Sequence, residues 1–117
     1  MVMCGRDPDR VAAAAVEVGH DAIGLVADVG TPDGAADFVA QATDRLGGID
    51  VLITNAGGPP PGTFATTPVD AYASALELNQ PADVAMCTAA VPAMQSQGWG
   101  RVVAITSIRV RQPIANR

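Results

Sequence analysis

Polar side chains follow four short apolar runs of the sequence, at the points where those runs stop. They are Arg6, Asp28, Asn55 and Ser107. A guanidinium can bind a phosphate through paired hydrogen bonds, and a carboxylate can accept hydrogen bonds from an amine. A serine hydroxyl can hydrogen-bond a ligand oxygen, but at the end of a strand it can equally satisfy backbone groups of a turn. Because Asp7 follows Arg6 directly, the guanidinium could instead pair with that acid in solvent.

The four runs alternate with three segments that have helical patterns, which predicts seven elements in strand and helix alternation. The predicted strands cover residues 2–4, 22–27, 49–54 and 101–106. The first helix is expected to begin at Asp7 and Pro8 and to end at Gly19, and the second to run from Thr31 and Pro32 to Gly47.

The third helix is expected to begin at Thr67 and Pro68, with Asp70 at the capping-box position. Pro81 removes a backbone donor, so a bend is expected near Asn79 to Pro81, after which the helix resumes to about Met94.

The apolar runs show little alternation, which is typical of parallel strands covered on both faces. Strands joined through helices by right-handed crossovers form a doubly wound parallel sheet, so the predicted class is α/β. Ligands of such sheets bind beyond the carboxyl ends of the strands. The topology therefore predicts that the four polar positions share one edge of the sheet.

Composition limits the classes of function that the chain can perform. Its 117 residues are 49% hydrophobic and suit one small domain. A net charge of −5 disfavours nucleic acid and anionic membrane surfaces as partners. The sequence has neither a signal peptide nor a membrane-spanning stretch, so a cytoplasmic location is expected. Two distant cysteines and one histidine form no disulfide framework and no metal site. All seven basic residues are arginines, which excludes a P-loop or a lysine Schiff base.

Several stretches together resemble the short-chain dehydrogenase/reductase family over essentially the whole chain. Thr54 to Gly57, read Thr-Asn-Ala-Gly, is similar to the family's Asn-Asn-Ala-Gly motif. Asn79 lies on the third predicted helix and is followed by Val-Pro-Ala-Met at 91–94, and Gly-Arg-Val-Val at 100–103 leads to Ser107. The separation of 28 positions between Asn79 and Ser107 resembles that of the family's helix asparagine and catalytic serine.

The resemblance implies a Rossmann-like fold and roles for individual residues. Ser107 would be the catalytic serine that hydrogen-bonds the substrate oxygen, and Asn79 would hold a water of the proton relay. A buried amide that pins the helix bend is the alternative for Asn79, and the two roles could coexist. Asn55, Ala56 and Gly57 would steady the sheet beside the cofactor.

The resemblance also implies a nicotinamide cofactor and a preference for NADP(H) over NAD(H). Arg6 would follow the strand that reaches the adenine ribose, where a guanidinium suits a 2′-phosphate and an acid would favour the free hydroxyl. Asp28 and Val29 resemble the Asp-Val pair that lines the adenine pocket. An exposed Asp28 that caps its own loop is the alternative.

Two features of the family are missing from these residues. The sequence has no Gly-rich first turn, and it has no Tyr-x-x-x-Lys, because Tyr72 is followed four positions later by Leu76 and no lysine occurs. We therefore expect residues 1–117 to be a partial Rossmann-like domain that is incomplete at both ends. The family's first strand would lie between the strands at 2–4 and 49–54. Those two strands must then pair directly or leave a slot with unpaired edges.

The function implied is hydride transfer between NADP(H) and a carbonyl or secondary alcohol of a small molecule, performed by an oxidoreductase of which this chain is a part. The alternatives are a catalytically inactive truncated remnant and a noncatalytic binding or self-association module. The resemblance also implies a homo-oligomer formed through the long third helix.

Overall fold

The computed structural model describes residues 1–58, 62–107 and 111 of the chain. Strands and helices alternate along it, as the sequence predicts. Their bounds are β1 Val2–Gly5, α1 Pro8–Val18, β2 Ile23–Val26, α2 Pro32–Leu46, β3 Val51–Thr54, α3 Val69–Ser96 and β4 Arg101–Ala104.

The strands form two separate parallel pairs. β1 pairs with β2, with Val2 opposite Ile23, and β3 pairs with β4, with Val51 opposite Arg101. No hydrogen-bonded ladder joins β1 to β3 among the described residues. Of the two arrangements that the sequence left open, direct pairing is therefore wrong and the slot is present.

Helices α2 and α3 form the layer on which both pairs rest. α2 packs on β1, α3 packs on β3, and the two helices pack on each other. Small side chains at their contact allow this close approach. The buried cluster comprises Ala35, Val39, Ala42, Ile49, Leu52, Ala82, Met86, Ala90 and Met94, with Val2 of β1 packed against it.

Helix α1 covers the opposite face of the first pair. Side chains alternate along a strand, so Val2 and Gly5 face opposite sides of β1. Val2 contacts the α2 and α3 layer, whereas a Cβ on Gly5 would lie 3.5 Å from Val11 Cβ of α1. A Cβ on Gly24 of β2 would lie 2.8 Å from the Val11 carbonyl oxygen. Glycine at this position thus permits β2 to approach the α1 backbone closely.

The first two helices begin and end as predicted. Asp7 caps α1 by accepting hydrogen bonds from the amides of Asp9 and Arg10, and Gly19 ends that helix. Thr31 caps α2 through the amide of Gly34 at 3.1 Å, and Gly47 ends that helix in a left-handed conformation.

The capping box predicted for α3 is wrong. The N-cap is Pro68, and no side chain caps this helix. The Thr67 hydroxyl instead donates to the Thr63 carbonyl oxygen at 2.7 Å and closes the preceding turn. Pro81 and Pro92 both lie inside one continuous helix, so the segment does not break into two helices. Within the described part of the chain, no helix combines the length and the apolarity needed to cross a bilayer.

Candidate functional site

Arg6 and Asp28 follow the ends of the paired strands β1 and β2. The Ala27 amide donates to the Gly5 carbonyl oxygen at 3.1 Å, and this bond continues the ladder to the last residue before Asp28. An open cavity of about 780 Å³ follows β1 and the first half of α1. Arg6, Asp7, Asp9 and Arg10 contribute to its wall, together with Met3, Cys4, Gly5, Pro8, Val11 and Ala14.

Arg6 has a guanidinium that is available to a ligand. Asp7 Oδ1 accepts hydrogen bonds from the amides of Asp9 at 3.0 Å and Arg10 at 3.1 Å. Within the described residues, the Arg6 guanidinium has neither an ion pair nor a hydrogen bond. The alternative in which Arg6 pairs with Asp7 is therefore wrong for this structure. The same cap uses the first amides of α1, so an anion in the cavity would be bound by arginine and not by the helix end.

Asp28 partly fits its alternative role as a loop cap. Its Oδ1 accepts a hydrogen bond from the Gly30 amide at 2.9 Å. This short turn fixes the carboxyl group at the end of β2. The residue is exposed, and its second oxygen has no partner among the described residues. That oxygen can still accept a hydrogen bond from a ligand amine.

The ends of β3 and β4 bring Asn55 and Ser107 to the same edge of the second pair. The Ile105 amide donates to the Thr54 carbonyl oxygen at 2.9 Å, which extends the ladder one residue beyond β4. Asn55 and Ser107 are both exposed beyond this bond. A serine hydroxyl and a carboxamide at neighbouring strand ends can hydrogen-bond one small ligand from adjacent positions.

Leu78 of α3 connects the loops of the two pairs. A Cβ on Gly30, in the loop after β2, would lie 2.8 Å from Leu78 Cδ1. A Cβ on Gly57, in the loop after β3, would lie 3.4 Å from Leu78 Cδ2. One side chain therefore lies between the loop that carries Asp28 and the loop that carries Asn55. Glycine at position 30 permits this contact, because a side chain there would overlap Leu78.

Asn79, the next residue of α3, is half-buried at this junction. Its Nδ2 donates to the Ala75 carbonyl oxygen at 2.8 Å. The amide therefore fastens the helical turn that precedes Pro81, as the alternative role requires. Its carbonyl oxygen has no partner among the described residues and can accept a hydrogen bond from a water.

Two buried polar groups were missed by the sequence reasoning. Thr54 is only 1% exposed, and its hydroxyl has no hydrogen-bond partner in the described residues. The Oδ1 atom of Asp83 on α3 is also buried and has no hydrogen-bond partner in the described residues. Asp83 lies four residues after Asn79 and therefore on the same side of the helix. The threonine in place of the motif's first asparagine was the available signal for Thr54, whereas nothing in the sequence distinguished Asp83.

Cys4 on β1 has a half-buried thiol. Burial raises the pKa of the Cys4 thiol above its usual range, because desolvation penalises the thiolate. The neutral thiol therefore prevails at neutral pH, and Cys4 is not an activated nucleophile. Among the described residues, no cluster of histidine, cysteine and carboxylate side chains could hold a metal ion.

A second cavity, of about 440 Å³, lies at the other end of the second pair. Val91, Met94, Gln95, Gly98, Trp99, Gly100, Arg101 and Val102 line it. The Arg101 guanidinium stacks 5.1 Å from the centre of the Trp99 ring. This cavity lies where β4 begins, and Ser107 lies beyond the other end of that strand.

Comparison with known proteins gives the family of this fold. A model of the family described as short chain dehydrogenase matches residues 1–117. The chain belongs to the short-chain dehydrogenase family. Its similar proteins include an L-rhamnose 1-dehydrogenase (NAD(P)(+)) of Sphingomonas sp., 37% identical over 86% of this chain. A D-beta-hydroxybutyrate dehydrogenase of Rhizobium meliloti is 32% identical, also over 86% of this chain.

Solved structures match nearly all of the chain. L-sorbose reductase from Gluconobacter frateurii, complexed with NADPH and L-sorbose, matches 99% of the chain with a TM-score of 0.85 and 28% identity. A 7 alpha-hydroxysteroid dehydrogenase complexed with NADH and 7-oxo glycochenodeoxycholic acid matches 98% of it with a TM-score of 0.86 and 25% identity. The predicted Rossmann-like α/β class is thus confirmed.

The matched region is only part of each relative. The chain spans 41% of the rhamnose dehydrogenase and 40% of the hydroxybutyrate dehydrogenase. It spans 46% of each of the two superposed structures. The activities and cofactors of these relatives are therefore only proposals for this chain.

Proposed function

We propose that this chain is part of an NADP(H)-dependent oxidoreductase that acts on a carbonyl or secondary alcohol of a small molecule. The observation that carries the proposal is the Arg6 guanidinium, exposed beside the 780 Å³ cavity and without a partner among the described residues. When bound, the nicotinamide supplies the hydride chemistry. Arg6 would hold the 2′-phosphate, and the free oxygen of Asp28 would accept a hydrogen bond from the adenine amine.

The charges around the cavity fit a phosphate on the ribose. Arg6 and Arg10 offset Asp7 and Asp9, and the Asp7 carboxylate already accepts two amide hydrogen bonds. A carboxylate engaged in this way repels a phosphate less than a free one. The 2′-hydroxyl of NAD(H) would leave the Arg6 guanidinium unpaired, which is the physical reason for the proposed preference.

Residues of the second pair would serve the reaction itself. Ser107 would hydrogen-bond the substrate oxygen, and the carbonyl oxygen of Asn79 would hold a water of the proton relay. Asn55, Ala56 and Gly57 would contact the cofactor where β3 ends. The 117 residues contain no Tyr-x-x-x-Lys, so the proton donor and its lysine would have to come from elsewhere in the complete enzyme. A cytoplasmic location is part of this proposal.

The test compares NADPH and NADH binding to the wild-type protein and to Arg6→Gln. Loss of a charge-assisted phosphate contact of about 1.5–3 kcal/mol should raise the Kd for NADPH about tenfold to a hundredfold. The Kd for NADH should change little. Arg45→Gln is the matched control, because Arg45 lies in the last turn of α2 and carries the same charge. Equal changes for the two nucleotides would refute the assignment of Arg6.

Self-association through α3 is the second proposal, since one face of that helix is apolar and exposed. Val69, Tyr72, Leu76 and Val84 are all exposed and follow helical spacing along this face. Sedimentation of the wild-type protein should show a dimer or tetramer that Leu76→Glu dissociates. If the protein melts cooperatively and self-associates but binds neither nucleotide, the noncatalytic module is the better account.

A further inference from the structure

Asp83 on α3 is an acidic residue to which the proposed reaction assigns no role. Its Oδ1 is buried and has no hydrogen-bond partner among the described residues. Leaving a buried acceptor without a donor is costly, so almost every such atom in a folded protein bonds to a protein group or to an ordered water. Asp83 Oδ1 therefore needs a donor that the described part of the chain does not supply.

The side of α3 that carries Asp83 faces the interior of the protein. Met94 follows Asp83 by eleven residues, which is about three helical turns, so the two residues lie on the same side of the helix. Met94 belongs to the buried cluster, and a Cβ on Gly100, just before β4, would overlap its side chain. Asn79 and the buried Ala90 have the same spacing of eleven residues. We call Asn79 and Asp83 the polar stripe, because the same side of α3 is apolar further along.

The polar stripe lies beside the end of β3. Leu78 Cδ2 would lie 3.4 Å from a Cβ on Gly57, in the loop after β3. At the other end of α3, the Gln97 side-chain amide donates to Oδ1 of Asp50, which precedes β3. α3 therefore runs from the end of β3 back toward its start. The polar stripe is on the half of α3 nearest the strand ends, where the reaction is proposed to occur.

The two side chains of the polar stripe offer hydrogen-bond acceptors one helical turn apart. The Asn79 Nδ2 donates to the Ala75 carbonyl oxygen at 2.8 Å, which leaves its Oδ1 for a ligand. A carboxamide oxygen and a carboxylate oxygen both accept, so they cannot bond to each other. Side chains four residues apart on a helix have Cβ atoms about 5–6 Å apart. A water that donates to two acceptors holds them about 4.5 Å apart, which suits this spacing.

We propose that Asp83 is a positioning residue that, together with Asn79, holds one buried water beside the end of β3. The water donates one hydrogen to Asn79 Oδ1 and the other to Asp83 Oδ1. Buried waters typically make about three hydrogen bonds, and with both hydrogens engaged this water can only accept the next one. Asp83 thus fixes the orientation of the water. Only the use of this water in the proton relay rests on the proposed function.

The test detects the water by NMR on the 117-residue chain without nucleotide. Cross-relaxation between a bound water and the side-chain protons of Asn79 and Asp83 has opposite signs in NOE and ROE spectra. Proton exchange with the solvent has the same sign in both. We expect peaks of opposite sign at both residues of the wild-type protein. Asp83→Leu removes the acceptor and should weaken the water peak at Asn79 at least threefold.

Two further variants separate positioning of the water from a general structural role. Asp83→Asn keeps an acceptor oxygen at the same place and should retain the water peak at Asn79. Asp70→Leu is the matched control, because Asp70 is an exposed acidic residue in the first turn of the same helix. It should leave the peak unchanged.

A crystal structure of the wild-type protein gives a measurement that does not depend on the folding of any variant. It should show one water about 2.5–3.0 Å from both Asn79 Oδ1 and Asp83 Oδ1. A density map in which no water bridges these two atoms would overturn the proposal.

Three NMR results would also overturn it. They are the absence of a bound water in the wild-type protein, an undiminished peak in Asp83→Leu, and equal losses in Asp83→Leu and in either of the other two variants. None of these measurements uses a nucleotide, so the water site can fail while Arg6 still distinguishes NADPH from NADH. If Arg6→Gln affects both nucleotides equally, the water should still be detected, and only its place in the relay would be lost.

Discussion

α1 and α2 begin at side-chain caps, whereas α3 begins at Pro68 without one. The carboxyl group of Asp7 and the hydroxyl group of Thr31 each bind an amide within three residues. α3 instead buries Ala82, Met86, Ala90 and Met94. Its far end is tied by the Gln97 side-chain amide to Asp50 Oδ1 at 3.2 Å and to the Trp99 carbonyl oxygen at 2.7 Å.

The two ends of the candidate site are therefore stabilised by different kinds of interaction. The loops that carry Arg6 and Asp28 are set by hydrogen bonds between near neighbours in sequence. The position of Asn79 depends on α3 packing against α2 and β3, and that of Ser107 depends on the pairing of β4 with β3. Local changes should therefore disturb the nucleotide end of the site, and changes in packing should disturb the end proposed for the substrate.

The largest effect on stability is expected at Gly34, where the loop after β2 packs against the first turn of α2. A Cβ on Gly34 would overlap the Asp28 carbonyl oxygen and would meet the Thr31 hydroxyl. Gly34→Ala should lower the free energy of unfolding by about 2 kcal/mol, because this overlap exceeds the gain in helix propensity. Gly58→Ala is the control, since a Cβ there meets nothing within 4 Å. Equal stabilities of the two variants in urea denaturation would show that Gly34 does not pack closely against the Asp28 carbonyl oxygen in solution.

A smaller effect is expected from removing the cap of α1. Asp7→Ala should lower the free energy of unfolding by about 1 kcal/mol, because the amides of Asp9 and Arg10 lose their acceptor. Asp70→Ala in the first turn of α3 is the matched comparison and should lower the free energy of unfolding by only about 0.3 kcal/mol. A loss at Asp70 as large as that at Asp7 would show that α3 has a capping box in solution.

The smallest change in the free energy of unfolding is expected at Thr54, where the substitution should stabilise the protein. Thr54→Val removes a buried hydroxyl without a partner and should raise the free energy of unfolding by about 0.5–1 kcal/mol. Thr43→Val is the control. The Thr43 hydroxyl donates to the Val39 carbonyl oxygen at 2.8 Å, so its removal should lower the free energy of unfolding. Destabilisation by Thr54→Val in thermal melts would mean that the hydroxyl has a partner in solution.

The contrast between the helices also explains how much the sequence could predict. The caps of α1 and α2 were predicted because their donors and acceptors lie within three residues of one another. The slot was foreseen as one of two arrangements because strand order limits which strands can pair. The start of α3 at Pro68 was predicted, but its capping box was wrong, because no side chain caps this helix and the Thr67 hydroxyl closes the preceding turn. Leu78 and Asp83 were missed because their roles depend on which distant loops and strands pack against α3.

The most direct test of the account is to map NADP⁺ on the chain by the chemical shifts of its backbone amides. If the strand ends form one cofactor edge, saturating NADP⁺ should shift the amides of Arg6, Val29 and Gly57. Gly98 and Gly100 line the cavity at the opposite end of the second pair and should not move. NAD⁺ should shift Arg6 less than NADP⁺ does. Shifts confined to Gly98 and Gly100, or none at saturating nucleotide, would contradict the central claim.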